Sequence, residues 1–377
     1  MIVSEIAVQI RGRIPASAIR AEDYVSTDNM RPNFGGIATS SSMPQSGNVT
    51  AYQVGDILLS NIRPYFRKTW LATHSGGCNA DVLCIRANPK KCLPQYLYYL
   101  FTTDNFVTDY LKSCKGAKMP RGDVNRLLNY EFNLPDLPTQ LRIAGVLGSI
   151  DEKIELNRKK IAELEALAKT IYDYWFVQFD FPDKNGKPYK SSGGKMVWNE
   201  QLKREIPEGW EVSLLDTVFI ICSGKDHKQL PDGVYPVLGS GGIMRYADKF
   251  LYDGESVLIP RKGTLNNVMF MQSPFWTVDT MFYTRPKRNN LMKYTYMAIR
   301  DFDFARLNTG TGVPSMTASI IGRIKIPIPP NELAKATDHF LGYVFSRKES
   351  LYNEISVLTH QRDTLLPLLM NGQVEVG

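Results

Sequence analysis

The sequence predicts a mixed α/β (α+β) chain of two pseudo-repeated globular domains, separated by two long coiled-coil helices. Three observations predict it. A seven-residue apolar pattern runs through "LGSIDEKIELNRKKIAELEALAKTIYDYWF" (147–176) and returns near the C-terminus. A shift of 194 residues lays Ile161 on Ile355, Leu164 on Leu358 and Ile171 on Leu365. Between these anchors, short β-rich apolar runs alternate with helical patches.

The first globular domain is assigned to residues 1–138. "DILLSNI" and "DVLCIR" read as strands, and "PQYLYYLFTTDNFVTDYLKS" as a helical patch. The central helix is assigned to 139–178. Pro135 and Pro138 of "LPDLPTQ" bar an earlier start, and Thr139 is the expected cap. Leu147, Ile154, Ile161, Ala168 and Trp175 fall at a positions, and Ile150, Asn157, Leu164 and Ile171 at d, with Ile143 one heptad earlier. Asn157 either fixes register inside the seam or stands at a solvated edge. About 33 residues make a rod of roughly 50 Å.

Residues 179–204 have the Gly, Ser, Lys and Pro content of a surface linker. The second globular domain, 205–330, opens at "IPEGWEV" and carries the strands "SVLIP" and "DTMFYT". The last helix is assigned to 331–372, again behind a proline entry, "IPIPPNEL". Its seam is Leu341, Ile355 and Leu369 at a, and Val344, Leu351, Leu358 and Leu365 at d. Lys348 and Arg362 interrupt the a row; Pro367 and Gly372 are expected to end the helix.

The repeat extends into the globular parts. The same shift lays Gly116 and Pro120 of "GAKMPRGD" on Gly310 and Pro314 of "GTGVPSMT". "VGDILLSNIRP" resembles "DGESVLIPRKG", and "FNLPDLPTQL" resembles "IKIPIPPNEL". Elsewhere the halves diverge almost completely. A duplicated scaffold with unlike contents suits two binders of different ligands.

Composition narrows the function. With 377 residues, 43% hydrophobic and 11% aromatic, the chain has cores to bury. A net charge of +7 and a pI near 9.0 are compatible with nucleic acid. Five cysteines (Cys78, Cys84, Cys92, Cys114, Cys222) show no C-x-x-C pair, and four histidines form no cluster, so neither a disulfide scaffold nor a metal site is expected. A signal-peptide core and a transmembrane-length apolar run are both missing, so a cytoplasmic protein is expected.

Catalytic motifs are missing as well. The sequence holds no N-P-P-[YF] or D-P-P-Y tetrapeptide to stack a flipped adenine, and no G-x-x-x-x-G-K-[ST] loop to hold ATP. "GSGG" (239–242) reads as a tight turn, and "FPDKNGK" lacks the spaced second acid and lysine of a nuclease. No catalytic residue is expected.

"GDILLSNIRP", "GAKMPRGDV", "PDLPTQLRIAGVLGSIDEKIELNRKKIAELEALAKTIYDYWF", "IPEGWEV", "SGGIMRYADKFLYDGESVLIPRKGT", "PFWTVDTMFY", "GTGVPSMT" and "QRDTLLPLLMNG", in this order, resemble the specificity (S) subunits of type I restriction–modification systems over nearly the whole chain. The resemblance implies two target-recognition domains joined by antiparallel helices, each reading one half of a split site in double-stranded DNA. It implies that the helices set the unread spacer and dock two modification (M) methyltransferase subunits, and that restriction (R) motor–nuclease subunits join them. S-adenosylmethionine, ATP and Mg2+ would then reside in those partners and no cofactor in this chain. One departure is that the first half lacks a clear counterpart of "IPEGWEV".

Base reading calls for Arg or Lys toward guanine and Asn or Gln toward adenine, beside cations for phosphate. In the first domain Arg63, Arg67 and Lys68 follow a predicted strand with Tyr65, Phe66 and Trp70 interleaved, and Lys115, Lys118 and Arg121 flank the glycine–proline turn. In the second, Lys225, Lys228, Arg245, Arg261 and Lys262 occupy comparable loops, and Asn266 and Asn267 suit adenine. A rod of roughly 50 Å exceeds one B-DNA turn of about 34–36 Å, enough for half-sites a turn apart. The competing readings are a free-standing DNA-binding scaffold or regulator, the specificity subunit of a type IIB system, and a cryptic enzyme.

Overall fold

The computed structural model describes residues 1–40, 42–116, 118–310 and 312–374. The chain divides into unit 1, Met1–Arg158 with Tyr352–Gly377, and unit 2, Lys159–Leu351. Both cuts fall inside the long helices.

Unit 1 contains strands β1 (Ala7–Gln9), β2 (Arg13–Pro15), β3 (Tyr24–Val25), β4 (Asn48–Tyr52), β5 (Ile57–Ser60), β6 (Thr69–Leu71), β7 (Gly76–Cys78) and β8 (Val82–Ala87). Helices α1 (Pro94–Thr102), α2 (Asp104–Lys112) and α3 (Val124–Leu128) follow. One antiparallel sheet has the order β1-β8-β5-β6; a second, β2-β4-β7-β3, ends in a parallel β7–β3 pair. The unbroken apolar runs of β5 and β8 have a direct cause, because successive side chains point to opposite faces and both faces are covered. Ile57, Leu59, Leu83 and Ile85 pack on Tyr96, Leu97, Leu100 and Phe101 of α1 and Phe106 of α2. Leu58, Val82 and Cys84 pack on Val25, Tyr52 and Cys78 from the second sheet. The buried Asp56 carboxylate is matched by Arg86 at 2.7 Å.

Helix α4 spans Leu137–Tyr172. Its cap is Asp136 and not the expected Thr139: Asp136 Oδ1 accepts from the Thr139 N–H at 3.0 Å, and Asp136 O from Gln140 N at 2.9 Å. Pro138 then sits in the first turn, where a missing N–H costs nothing.

Unit 2 repeats the plan with β9 (Met196–Asn199), β10 (Arg204–Pro207), β11 (Glu211–Leu214), α5 (Leu215–Val218), β12 (Phe219–Ser223), β13 (Asp232–Gly239) and β14 (Gly242–Ala247). It continues through β15 (Ser256–Pro260), β16 (Met269–Met271), β17 (Trp276–Thr277), β18 (Met281–Pro286), α6 (Met292–Ile299), α7 (Ala318–Gly322) and β19 (Lys325–Ile328) to α8 (Asn331–Met370). The sheet β12-β18-β15-β16 has the strand order of β1-β8-β5-β6, and the parallel β13–β17 pair answers β3–β7. Val257 and Ile259 face one core while Leu258 faces another, as in β5.

The stretch expected as a surface linker is folded. Phe179 and Phe181 are buried with Phe176, Ile206 and Trp210, and β9 pairs with β10. Aromatic side chains in this polar segment outweighed its loop-like composition. The missing "IPEGWEV" counterpart also has a structural answer: Ile2 bridges Glu131 in unit 1 where Leu214 pairs with Lys325 in unit 2.

The heptad seam is present in each unit. In unit 1 Ile143, Leu147, Ile154 and Asn157 are buried, Ile150 is half-buried, and Leu147 shares a cluster with Leu366 and Leu369 of α8. Ile355, Leu358 and Leu365 are half-buried there, so early α4 meets late α8. In unit 2 Ile161 and Ala168 are buried and Leu164, Ile171 and Trp175 half-buried; Leu341, Val344 and Leu351 are buried opposite. The two interrupting cations are paired within the seam. Arg362 reaches Asp151 at 3.0 Å, and Lys348 reaches Glu165 at 2.5 Å. Asn157 is fully buried, which removes the solvated-edge alternative.

Pro367 does not end α8, contrary to expectation; it lies inside the helix. The stop is Gly372, whose φ of +68 lets Gly372 N donate to Leu369 O at 3.2 Å and Gln373 N to Leu368 O at 2.9 Å. That is a Schellman closure.

Candidate DNA-recognition surface

In unit 1 the chain leaves β5 into the loop Asn61–Lys68 and meets residues 115–116 and 118–122. Arg63 N donates to Pro120 O at 2.8 Å, and Gly122 N to Asn61 O at 3.1 Å. Arg121 N and Lys115 O pair at 2.9 Å, with the reverse bond at 3.0 Å. Tyr110 Oη, donating to Asn61 Oδ1 at 2.6 Å, pins the junction from below. A Cβ on Gly122 would stand 2.2 Å from that tyrosine ring, so only glycine passes here. The result is one ledge that gathers Arg63, Lys115, Lys118 and Arg121.

The cations on this ledge differ in freedom. Arg63, Lys115 and Lys118 are exposed, with no side-chain hydrogen bond or ion pair among the described residues. Arg121 is held by Asp81 at 2.8 Å and Arg67 by Asp104 at 2.6 Å. Lys68 Nζ donates to Thr27 O at 2.6 Å. The interleaved aromatics part company as well: Trp70 packs on Tyr52 and His74, while Tyr65 and Phe66 face solvent.

Unit 2 builds the same junction with other residues. Gly263 N donates to Pro314 O at 3.0 Å, and Met316 N to Arg261 O at 2.9 Å. Lys262, exposed, bridges Ser315 through the main chain. The Arg261 guanidinium lies 5.8 Å from the centroid of the Phe282 ring. The two asparagines named for adenine are engaged in shaping the loop. Asn266 Nδ2 donates to Asp303 at 3.2 Å and its Oδ1 accepts from Ala305 N at 3.1 Å; Asn267 Nδ2 donates to Ser240 O at 2.9 Å.

Lys225, Lys228 and Arg245 form a second group. Lys225 N bonds Thr277 O at 2.9 Å, and Arg245 Nη2 bonds Leu230 O at 2.6 Å and Asp232 at 3.0 Å. Lys225 and Lys228 are exposed. "GSGG" is the tight turn of the β13–β14 hairpin, with Gly239 opposite Gly242. Sequence reasoning missed the loop Arg31–Gly36, which is stitched to the unit 1 ledge by Asn33 N to Phe66 O and Phe34 N to Arg67 O, each 2.9 Å. Its signal was the turn composition of "RPNFGG".

Burial pushes the Cys78 and Cys92 thiols up to about 12, far from a reactive thiolate. No cluster able to hold a metal ion occurs among the described residues, and no helix there is long and apolar enough to cross a membrane.

Residues 19–166 and 207–358 each match the type I restriction modification DNA specificity domain. The chain is 26% identical over 309 residues to the type I restriction enzyme MjaIX specificity subunit of Methanocaldococcus jannaschii, covering 75% of this chain and 69% of that protein. It is 22% identical over 404 aligned residues to the HindI specificity subunit of Haemophilus influenzae, covering 86% and 87%. The fold is similar to the crystal structure of a type I S subunit from M. genitalium, with a TM-score of 0.64 and 18% identity over 98% of this chain and 95% of that one.

Proposed function

The chain belongs to the type I restriction modification DNA specificity family, and from that premise we propose how it performs the specificity role. It is a non-catalytic component of a type I restriction–modification complex. Each unit reads one half of a bipartite site in double-stranded DNA, with Arg63, Lys115, Lys118, Arg121, Arg67 and Lys68 serving one half. Lys225, Lys228, Arg245, Arg261 and Lys262 serve the other, on a loop shaped by Asn266 and Asn267. The length of the paired helices sets the number of unread base pairs, and their outward faces dock two methyltransferase (M) subunits. Those subunits bring S-adenosylmethionine and methylate adenine. Motor–nuclease (R) subunits bring ATP and Mg2+ chemistry in the cytoplasm.

The observation that supports this reading is the repeated junction. Arg63 N to Pro120 O and Gly263 N to Pro314 O are the same main-chain bond, displaying different side chains in each unit. Main-chain bonds fix a platform, and side chains at base edges carry sequence information.

The test is a methylation map. The chain is co-expressed with the modification subunit encoded beside it, and host DNA is sequenced for N6-methyladenine. One split, asymmetric motif that disappears when this chain is omitted is the expected result. A stable complex that methylates nothing new would favour a free-standing scaffold.

A further inference from the structure

We propose that Tyr65 and Phe66 form a rigid aromatic wedge that stacks on bases of the target duplex beside the half-site read by unit 1. This rests on the DNA-reading function proposed above. The two rings lie 4.7 Å apart, centroid to centroid, and are 49% and 38% exposed. Exposed aromatics on a mobile loop would mean little; these are clamped.

They ride a single 3-10 turn, Pro64–Phe66, between two residues in the left-handed region, Arg63 (φ 47) and Arg67 (φ 53). Phe66 N bonds Arg63 O at 3.0 Å and Arg67 N bonds Pro64 O at 2.8 Å, closing the turn on itself. The Asn33–Phe34 pair, also left-handed at φ 53 and 58, grips the carbonyls of Phe66 and Arg67. Four non-glycine residues with positive φ thus converge on this turn. Such backbone is costly to hold, and it clusters where a side chain must be aimed.

Charge names the occupant. Arg63, Lys115 and Lys118 share the ledge and keep their side chains free of protein partners among the described residues. Lys68 Nζ, fixed on Thr27 O, lies 5.8 Å from the Phe66 ring centroid. Cations on the same ledge as two exposed π faces suit a polyanion with stackable bases. An apolar protein surface would leave the cations unmatched. Apolar side chains inserted at a base step unstack it and bend the duplex. Unit 2 has no such device at this place: after Gly263 its loop turns Leu265 inward to 3% exposure and presents Thr264 and Asn266.

The experiment uses the full chain in complex with its modification subunit and duplexes carrying the mapped motif. 2-Aminopurine is placed in turn at each position within and beside both halves. One step is expected to brighten on binding, as a base leaves its stack. Tyr65→Ala with Phe66→Ala should abolish that signal and weaken binding roughly tenfold or more. Tyr65→Phe with Phe66→Trp should retain both. An unchanged thermal midpoint and retained modification subunit show that the alanine variant is folded and assembled.

A wild-type complex that methylates its motif while no position brightens would overturn the wedge and leave the specificity role intact. So would an alanine variant that keeps signal and affinity. Loss of the modification subunit on alanine substitution would reassign the rings to protein docking. Failure of the wild-type complex to bind any motif would sink the specificity reading and the wedge with it.

Discussion

Arg362 of α8 donates to Asp151 of α4 at 3.0 Å across the helix seam of unit 1, at a position the heptad reserves for an apolar side chain. Tyr99 Oη donates to the other carboxylate oxygen at 2.8 Å. Burial draws the Arg362 pKa down, but Asp151 and Asp363 together hold it above the usual arginine value.

Removing one partner of such a pair strands the other. Arg362→Ala is expected to destabilise the fold by about 1–3 kcal/mol, read as a lower urea midpoint at unchanged slope. Replacing both residues by leucine, with Tyr99→Phe so that no buried hydroxyl loses its acceptor, should recover most of the loss. A combined effect equal to the sum of the separate effects of Arg362→Leu and Asp151→Leu would show that the pair is not coupled.

Asn157 makes the opposite prediction. Its amide N and O are both buried without a hydrogen-bond partner among the described residues. Asn157→Leu should therefore stabilise the chain by about 1–2 kcal/mol, with a higher melting temperature. A lower melting temperature would mean that the amide has a buried partner, such as water, that the leucine displaces.

Acid should weaken both units through named carboxylates. Arg126 holds the Asp109 carboxyl below its usual value, and Arg20 does the same for Asp23. In unit 2 Ser213 and Arg288 hold Glu211 down. A carboxyl with a depressed folded-state pKa adds stability above its unfolded pKa and loses it as pH falls through the folded value. Stability should therefore be flat at neutral pH and fall below about pH 4. Asp109→Asn should flatten that fall when unfolding is followed from pH 5 to pH 2.

Lys115 and Lys118 are predicted to touch phosphate. Alanine at either should weaken DNA binding about equally on every sequence and reduce the salt slope by roughly 1. Binding titrations across a potassium chloride series read both effects. A changed methylation motif would instead make that lysine a base reader.

Much of this architecture was legible because it is periodic. The buried a row of α4, from Leu147 to Ala168, follows from a seven-residue spacing that no strand can satisfy. The runs of β5 and β8 could be read because continuous apolar residues require two covered faces. Single-residue choices were harder. Thr139 and Asp136 are both good caps, and α8 runs on past Pro367 at the loss of one N–H bond, its stop falling to Gly372, whose positive φ closes the last turn. Asn266 and Asn267 have the right chemistry for adenine, yet only the folded loop shows their amides engaged with Asp303, Ala305 and Ser240. The clamp of Asn33 and Phe34 on residues 66 and 67 joins distant segments through main-chain atoms, which leave no trace in side-chain spelling.

The matching bonds from Arg63 N to Pro120 O and from Gly263 N to Pro314 O carry an evolutionary consequence. Their atoms belong to the backbone, so substitution of the displayed Lys115, Lys118 or Lys262 side chains removes none of them, whereas Gly122 and Gly263 stay fixed by space and by a positive φ. A lineage can rewrite either half of what is read, one codon at a time, while inheriting the scaffold unchanged. Diversity is cheap where the peptide chain itself is the mortar.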